Sequence, residues 1–586
     1  MEKETLTVEK ENWFAEKENW GELLPANDPK RHYTLLTGDL FPLKLFGQAD
    51  ADTEWLEDKD RSSKLFVHTD SFETFKHKSN LFIFGRRGTG KTALIKMLDY
   101  EIKKGVEKGK QKPRYNYSKI IYQDETFFSL TLELRPFLGF HSAQELTHVI
   151  REKFIWVIYT TAMMAVTKNN RSTSTHLINI RKYLADENLI ESEGTYIVST
   201  PIGRATKLFS DSIASIGKGD SGWQSTALTN ALRQLDSAGY REALNSLVGY
   251  LTEEKEHCLV LIDSQELYGL GDTVSECAVS GLIEAVLNIF NQYANNKILA
   301  KAAFPSEMVP HLRPANRGKM NDKQHFIFWK YHDLLRFISK RYCQLLNEDA
   351  STKEGEATPA SQKTDCEQIK DDPKFVYQFM PKRTESFSGI DFDSIAYIIS
   401  HTQKKPREVI MLFNVILSMA KQNGIPFTKL TSDCIREGTN ARVEDLSSGV
   451  TDMYRNIFKG ADRIIKKTFN NSECIMTYGE MHKKLRDASS LFDGTGMSKT
   501  DIERLFTESG VIGVVESFSK IGETNKFICE ANFEYQIKNV MTLQSHDILA
   551  IHPMFYQDLN ARVYSNLLVC PKPSRQEQQE MDKPID

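Results

Sequence analysis

The sequence lacks the cysteine patterns of disulfide-bonded and zinc-binding proteins. Its eight cysteines are scattered over 586 residues, with no C-x-x-C pair and no group of cysteine and histidine at zinc-ligand spacing. This pattern predicts reduced thiols and no structural metal. It favours a cytoplasmic location, where thiols stay reduced.

The chain also lacks an excess of charge of either sign. Its 75 lysines and arginines face 79 aspartates and glutamates, for a formal net charge of −4. No global attraction to nucleic acid is expected, so any contact with DNA needs a local basic patch. No leading apolar segment resembles a secretory signal and no uncharged run approaches the ~20 residues of a membrane span, so no membrane partner is expected.

The sequence has enough apolar residues for several buried cores. Hydrophobic residues make up 40% of the chain and aromatic residues 10%. At about 150 residues per domain, this length predicts about three to four domains. The most apolar stretch, Ile155 to Val166, is predicted to be a buried core helix.

A short apolar run from Phe82 to Phe84 leads into the motif G-x-x-x-x-G-K-T, followed by a helical pattern. The motif residues are Gly85, Arg86, Arg87, Gly88, Thr89, Gly90, Lys91 and Thr92. Glycines in such a loop let successive backbone N–H groups point at a polyphosphate. Lys91 is expected to reach the β- and γ-phosphates of a nucleotide, and the Thr92 hydroxyl to ligate Mg²⁺. We call residues 85–92 the P-loop.

A second phosphate-site signal follows further along the chain. Residues 258–263 form an apolar run that ends at Asp263, as a buried parallel strand that delivers a carboxylate to Mg²⁺ would do. Glu266, three residues on, is the candidate for polarising the attacking water. The alternative for Glu266 is a solvated acid at a strand end, since Ser264 and not an acid follows Asp263 directly.

Further strands are predicted at 122–134 and 297–304. Ser306 follows the second of these and is placed to sense the γ-phosphate. The local sequence fits equally well with Ser306 as the N-cap of a helix over 307–312.

The chain predicts six segments. They are an N-terminal arm and lead-in (1–60), a P-loop core (61–345) with a helix over 61–78, a flexible insertion (346–375), a helical lid (376–445), a winged-helix-like domain (446–570) and a tail (571–586). In the arm, KENW occurs twice, seven residues apart, which puts Trp13 and Trp20 on one helical face. This face is predicted to dock on this chain or on a partner. In the lid, Pro406 opens a helix from which Arg407 could hold the γ-phosphate, although an ordinary surface arginine fits as well.

The winged-helix prediction rests on two helices, 478–486 and 501–509, followed by strands at 510–516 and 526–529. Ser498 to Asp501 is a capping box for the second helix. Winged helices bind DNA in some proteins and proteins in others. The second helix carries three acids beside Lys499 and Arg504, which argues against contact with DNA. The basic stretch 103–114 is either a nucleic-acid patch or a solvated loop.

With these motifs in hand, the chain resembles the bacterial ORC/Cdc-six-like P-loop ATPases of the AAA+ and STAND-related group. The resemblance rests on GRRGTGKT, LVLIDSQEL, AFPSEM, FWKYHDLLRFISKRY, KKPREVIMLFN and DILAIHPMFYQDL, and covers about residues 80–560. It implies an α/β fold: a P-loop NTPase core with a parallel sheet, a helical lid and a C-terminal winged-helix-like domain. It also implies that Lys91, Thr92 and Asp263 hold phosphate and Mg²⁺, that Arg407 is the lid arginine sensing ATP, and that Glu266 is the second acid.

The chain departs from the AAA+ pattern at Ser264, and 172 residues separate Lys91 from Asp263. Both departures predict slow or partner-activated turnover of Mg·ATP. The leading hypothesis is an ATP-driven switch with a protein partner or as a homo-oligomer, in an antiviral-defence or mobile-element system as the resemblance suggests. The alternatives are an ATPase that loads on DNA through its winged helix and a scaffold that holds nucleotide without hydrolysing it.

Overall fold

The computed structural model describes residues 17, 20–25, 44–107, 115–122, 141–168, 170, 172–191, 197–214, 223–263, 273–311, 317–352, 374–441, 443–455, 457–488, 497–534 and 541–571. The chain divides into two compact units. His68–Ile327 form one, which we call the P-loop unit. Met1–Val67 and Phe328–Asp586 form the other, which we call the outer unit.

The strands of the described residues are numbered in chain order. They are β1 (Leu23–Pro25), β2 (Phe82–Gly85), β3 (Tyr117–Tyr122), β4 (Cys258–Asp263), β5 (Ile298–Pro305), β6 (Gln324–Phe326), β7 (Arg383–Glu385), β8 (Asp391–Asp393), β9 (Ile475–Thr477), β10 (Ile512–Lys520), β11 (Phe527–Asn532), β12 (Ile548–Ile551), β13 (Arg562–Tyr564) and β14 (Leu567–Pro571).

The α-helices are numbered in the same way. They are α1 (Ala51–Glu57), α2 (Lys59–Leu65), α3 (Asp70–Lys76), α4 (Lys91–Glu107), α5 (Ala143–Thr167), α6 (Thr175–Asp186), α7 (Pro201–Ala214), α8 (Trp223–Leu235), α9 (Ala238–Glu253), α10 (Thr273–Asn296), α11 (Arg317–Asn321), α12 (Tyr331–Thr352), α13 (Ser394–Ser400), α14 (Pro406–Gln422), α15 (Ser432–Asn440), α16 (Val443–Tyr454), α17 (Ala461–Phe469), α18 (Tyr478–Asp487) and α19 (Lys499–Glu508).

The P-loop unit is built on a parallel five-stranded sheet with the order β3-β4-β5-β2-β6. Every residue of β2, β4 and β5 is buried. Strands covered on both faces need this continuous apolar character, which is why the runs at 82–84 and 258–262 were readable in the sequence. The parallel pairing brings the carboxyl ends of β2, β4 and β5 to one edge, where ligands bind in open α/β sheets.

A long buried lysine fastens β5 to the helix beside it. Lys301 is fully buried, and its Nζ donates to the carbonyls of Phe75, His77 and Asn80, at 2.7 Å and 2.6 Å for the latter two. These carbonyls belong to the end of α3 and the turn that leads into β2. Burial of an ammonium is tolerated here because several acceptors replace its water.

The predicted buried helix within 155–166 is confirmed as part of α5. It packs against α10, and the approach is close: a Cβ added to Gly281 would lie 2.7 Å from Ile150 Cγ2 and 2.9 Å from the Thr147 carbonyl oxygen. By length and composition, α10 is the one helix of the described residues that could cross a membrane. However, 72% of its most apolar window is buried inside the structure, as in the core helix of a packed domain.

Two sequence predictions placed elements wrongly. The predicted helix over 61–78 is two helices, because Thr69 caps α3 through its side chain and residues 66–69 are not helical. The structure has a strand at 117–122, and the strand predicted at 122–134 lies outside the described residues apart from Tyr122. The segment predicted to be flexible from residue 346 onward starts as helix, since α12 runs to Thr352. Residues 353–373 lie outside the described part.

In the outer unit, the predicted lid contains α13, α14 and α15, with Pro406 at the first turn of α14 as expected. Its C-terminal part holds the five-stranded sheet β14-β11-β10-β12-β9. The N-terminal arm joins this part, because β1 pairs antiparallel with β13. Trp20 is 1% exposed and lies 5.0 Å from the Phe518 ring and 5.1 Å from the Tyr564 ring, between centroids. Trp20 thus docks on its own chain, whereas Trp13 lies outside the described residues.

The elements behind the winged-helix prediction are present as α18, α19 and the antiparallel pair β10–β11. The capping box is confirmed: Ser498 Oγ accepts from the Asp501 N–H at 3.2 Å, and the Asp501 carboxylate accepts from the Ser498 N–H at 2.8 Å. The sheet, however, places β12 between β9 and β10. The winged-helix assignment therefore stays a prediction.

Candidate nucleotide-binding site

The P-loop leaves the carboxyl end of β2 in a tight curve. Gly88 has φ +85° and Gly90 φ +92°, a left-handed conformation that glycine adopts without steric cost. Gly85 is required for space instead, because a Cβ there would lie 2.5 Å from Thr89 Oγ1. The Thr89 hydroxyl closes the curve by donating to the Arg86 carbonyl at 2.7 Å.

Lys91 and Thr92 begin α4, whose first intrahelical bond runs from the Leu94 N–H to the Gly90 carbonyl at 2.9 Å. No acidic residue occupies this first turn, so the positive end of the helix dipole faces the loop unopposed by its own side chains. Lys91 is 6% exposed, and its Nζ donates to the carbonyls of Gly85 at 2.8 Å and Arg86 at 3.2 Å. The ammonium is therefore held inside the curve of the loop, where a phosphate-binding lysine belongs.

Asp263 is the last residue of β4 and is 1% exposed. Its register partners are Tyr122 on β3 and Ala303 on β5. The predicted strand with a carboxylate at its end is thereby confirmed. Glu266, the predicted second acid, lies outside the described residues.

The end of β5 lies directly beside the P-loop. Pro305 pairs with Gly85, and residues 306–311 then turn into a 3₁₀ helix that begins at Ser306. Ser306 is half-buried and is the first residue of this helix rather than a cap in front of it. Its predicted role as a sensor of phosphate stays a prediction.

Glu307, for which no sequence motif predicts a role, makes the contact between the end of β5 and the P-loop. Its Oε1 accepts a long hydrogen bond of 3.4 Å from the Arg87 N–H, and the residue is 8% exposed. Its Oε2 is buried and has no hydrogen-bond partner in the described part of the chain. The signal for this contact is the β2–β5 register, which no local sequence pattern reveals.

The residues at this edge of the sheet fit a nucleotide phosphate and Mg²⁺. Backbone N–H groups, the Lys91 ammonium and the N-terminus of α4 are groups that bind polyphosphate. The Thr92 hydroxyl and the Asp263 carboxylate are oxygen donors, the ligands that Mg²⁺ prefers. A Cβ added to Gly90 would meet no atom of the described part of the chain within 4 Å, so these residues leave space above this part of the loop.

Arg407 lies in the outer unit, on the first turn of α14. Its Nε donates to the Ala49 carbonyl at 3.2 Å, and its Nη2 lies 3.8 Å from Asp50 Oδ1. Its side chain keeps 35% of its surface exposed. The predicted contact of Arg407 with a nucleotide stays a prediction.

Comparison with known proteins connects this site to one family. The model of the ORC-CDC6-like family matches residues 49–129, a span that includes the whole P-loop. No curated protein matches the chain.

Two solved structures are among those that match the chain. One is the ORC2 protein of Aeropyrum pernix in ADPNP–ADP complexes, with 10% identity, 93% of this chain and 100% of that chain covered, and a TM-score of 0.35. The other is Cdc6p of Pyrobaculum aerophilum, with 11% identity, coverage of 88% and 96%, and a TM-score of 0.23.

The family match supports the resemblance found in the sequence, without testing a bacterial source. It agrees with what the geometry shows independently, namely a parallel α/β sheet with a P-loop at the end of β2. Residues 49–129 of this chain thus match the model of the ORC-CDC6-like family, and the P-loop unit has an α/β fold with the P-loop at the carboxyl end of the parallel strand β2.

Proposed function

We propose that the chain binds Mg·ATP at residues 85–92 and hydrolyses it slowly or under the control of a partner, as a molecular switch. The observation that carries the proposal is the P-loop itself: two left-handed glycines, a buried Lys91 Nζ inside the curve and an acid-free helix N-terminus. The buried Asp263 at the same edge of the sheet supports it. The ORC-CDC6-like match over this region supports the same class of activity.

Each residue of the site has a proposed role that follows from its chemistry. Lys91 and the loop N–H groups hold the β- and γ-phosphates and offset negative charge that grows on the γ-phosphate during transfer. Thr92 and Asp263 would hold Mg²⁺, which when bound neutralises phosphate charge. An acid near the γ-phosphate is proposed to polarise the attacking water, with Glu266 as the candidate from the sequence. Ser306 and Arg407 are proposed to sense the γ-phosphate.

The biological setting rests on resemblance alone. We propose a cytoplasmic subunit of a multi-protein antiviral-defence or mobile-element system, in which a protein partner or a second copy reads the ATP-bound state. Pull-down of this chain with ATP and with ADP, each compared with Lys91→Ala, tests whether any partner depends on the nucleotide.

Phosphate release from Mg·ATP tests the activity. We expect turnover in the wild type, loss of turnover in Lys91→Ala, and no change in Lys319→Ala, a matched substitution of an exposed lysine on α11. The ATP-induced rise in melting temperature is measured in parallel. A rise without turnover in any condition would favour the scaffold, and neither rise nor turnover would contradict the proposal.

A second candidate is an ATPase that acts on DNA. Exposed basic residues on α17 and α18 favour it, namely Arg463, Lys467, Lys483 and Arg486. Helix α19, the second helix of the predicted winged helix, does not, because Arg504 is paired with Glu508 at 2.6 Å and Glu503 lies 3.0 Å from His482.

DNA stimulation distinguishes the two candidates. The DNA hypothesis expects duplex DNA to raise turnover, and binding to weaken steeply as salt increases, since phosphate contacts release counterions. Replacement of Lys467 and Lys483 by alanine should then lower DNA affinity without lowering basal turnover. Indifference to DNA would remove this candidate.

A further inference from the structure

The site holds a carboxylate that no sequence motif assigned. Chain order in the sheet explains why it lies there: β5 is between the P-loop strand β2 and the Asp263 strand β4. Pro305 of β5 pairs with Gly85 of β2. Glu307 and Arg87 each lie two residues further along the chain from this pair, so they come side by side. The carboxylate therefore reaches the P-loop from the direction of Asp263.

The two oxygens of Glu307 have different surroundings. One accepts a long hydrogen bond of 3.4 Å from the Arg87 N–H, which directs the carboxylate toward the P-loop. The other is buried and lacks a hydrogen-bond partner among the described residues. Leaving a buried carboxylate oxygen without a donor costs free energy, so such an oxygen in a native fold calls for an explanation.

The residue at position 264 explains why catalysis needs a carboxylate from elsewhere in the site. Ser264 stands directly after Asp263, so this chain has no carboxylate at that position to accept a hydrogen bond from the attacking water. Glu307 brings one to the same edge of the sheet from the neighbouring strand.

We propose that Glu307 holds and activates the attacking water in ATP hydrolysis, a role that rests on the proposed function. The Oε2 atom accepts a proton from the water as its oxygen bonds to the γ-phosphorus. The bond between that phosphorus and the β–γ bridging oxygen breaks, and ADP leaves with the electron pair. Glu307 then returns the proton to solvent, so that ATP and water become ADP and inorganic phosphate.

The Arg87 N–H helps to position the Glu307 carboxylate. A general base works only within hydrogen-bond reach of the proton it takes. By holding Oε1, the loop that cradles the phosphates also sets the position of Oε2. Binding of the substrate and placement of the base are thus coupled through one backbone group.

The experiment compares Glu307→Gln, Glu266→Gln and the control Glu242→Gln, an exposed glutamate on α9. Glutamine keeps the shape of the side chain and can accept from the Arg87 N–H, but it cannot take a proton. We expect Glu307→Gln to lower single-turnover phosphate release by about 10²- to 10⁴-fold. We expect the ATP-induced rise in melting temperature and the affinity for a fluorescent ATP analogue to stay within about twofold of the wild type.

A pH profile separates catalysis from structure. The wild-type rate should fall on the acid side as the base becomes protonated, and the residual rate of Glu307→Gln should lack this acid limb. The control Glu242→Gln should keep it, and loss of the acid limb in Glu266→Gln in place of Glu307→Gln would assign the base to Glu266.

Several outcomes would overturn the inference. Turnover of Glu307→Gln near the wild-type value, with loss in Glu266→Gln, assigns the base to Glu266. If Glu307→Gln loses both turnover and the ATP-induced rise in melting temperature, the role of Glu307 is to maintain the structure of the P-loop. A wild type without turnover overturns hydrolysis itself and this role with it, whereas active wild type with active Glu307→Gln overturns this role alone.

Discussion

The guanidinium of Arg341 and the carboxylate of Glu54 form a buried two-point ion pair, with Nη1–Oε1 at 2.7 Å and Nη2–Oε2 at 2.8 Å. The side chains are only 5% and 9% exposed. Arg341 Nη1 also donates to the Phe46 carbonyl at 3.1 Å. The pair joins α1 and the segment before it to α12.

Replacement of Arg341 by methionine should lower the free energy of unfolding of the outer unit by about 3–5 kcal/mol, because Glu54 is left as an uncompensated buried charge. Adding Glu54→Gln to this variant should recover part of the loss. Urea unfolding of the single and double variants measures the coupling. A loss below about 1 kcal/mol in Arg341→Met would contradict the finding that the pair is buried.

Gly85→Ala should abolish the ATP-induced rise in melting temperature. The new Cβ would lie 2.5 Å from Thr89 Oγ1 and 3.1 Å from Ile327 Cδ1, so the Thr89 hydroxyl must leave the Arg86 carbonyl and the loop must open. Gly105→Ala is the matched control, since its Cβ meets no atom of the described residues within 4 Å and it lies in α4. That control should keep ATP binding and raise the stability of the helix by about 0.5–1 kcal/mol.

The outer unit should lose stability in mild acid through His401. Burial lowers the pKa of this fully buried histidine to about 4, although its Nδ1–H donates to the Tyr397 carbonyl at 2.9 Å. Between pH 6.5 and 4 the unfolded chain therefore binds the proton and the folded chain does not. Stability is complete above pH 6.5 and is lost as the pH falls toward 4.

For His401 the expected loss between pH 7 and pH 5 is about 2 kcal/mol. His552, also fully buried, adds to it in the same direction, because burial, His401 and Lys405 hold its pKa well below the usual value. Urea unfolding at both pH values measures the difference, and His401→Asn should reduce it by about 2 kcal/mol whatever its own effect at pH 7. An unchanged pH dependence in that variant would refute the assignment.

Trp20→Ala should release the N-terminal arm from the C-terminal sheet. A buried tryptophan truncated to alanine costs about 3–5 kcal/mol, which is more than the short β1–β13 pairing can supply. The amides of residues 23, 24, 563 and 564 should then exchange with solvent at least 100-fold faster. Glu22→Ala, a change to an exposed side chain next to β1, should leave exchange unchanged. Protection that persists in Trp20→Ala would contradict the anchoring role.

The parts that were predictable from sequence depend on residues close together in the chain. The P-loop, the strand ending at Asp263, the capping box at Ser498 and the proline start of α14 are all local patterns, and the structure confirms each. The heptad step of KENW predicted that Trp20 docks on this chain or on a partner, and the structure shows that it docks on this chain.

The parts that were missed depend on distant pairing. Glu307 reaches Arg87 because of a register between strands more than 200 residues apart. The placement of β12 between β9 and β10 likewise follows from pairing rather than from a local pattern. The break between α2 and α3 carried a weak local signal in Thr69, which a helical reading of 61–78 overrode.

The chain order of the two units has a consequence for biosynthesis. Residues 1–67 belong to the outer unit, and some described residues of this segment have partners beyond residue 327, such as Arg341 for Glu54 and Tyr564 for Trp20. At about 5–20 residues per second, the ribosome takes roughly 10–50 s to make the intervening 260 residues. The P-loop unit can fold cotranslationally during that time, while the N-terminal segment waits for a partner that has not yet been made.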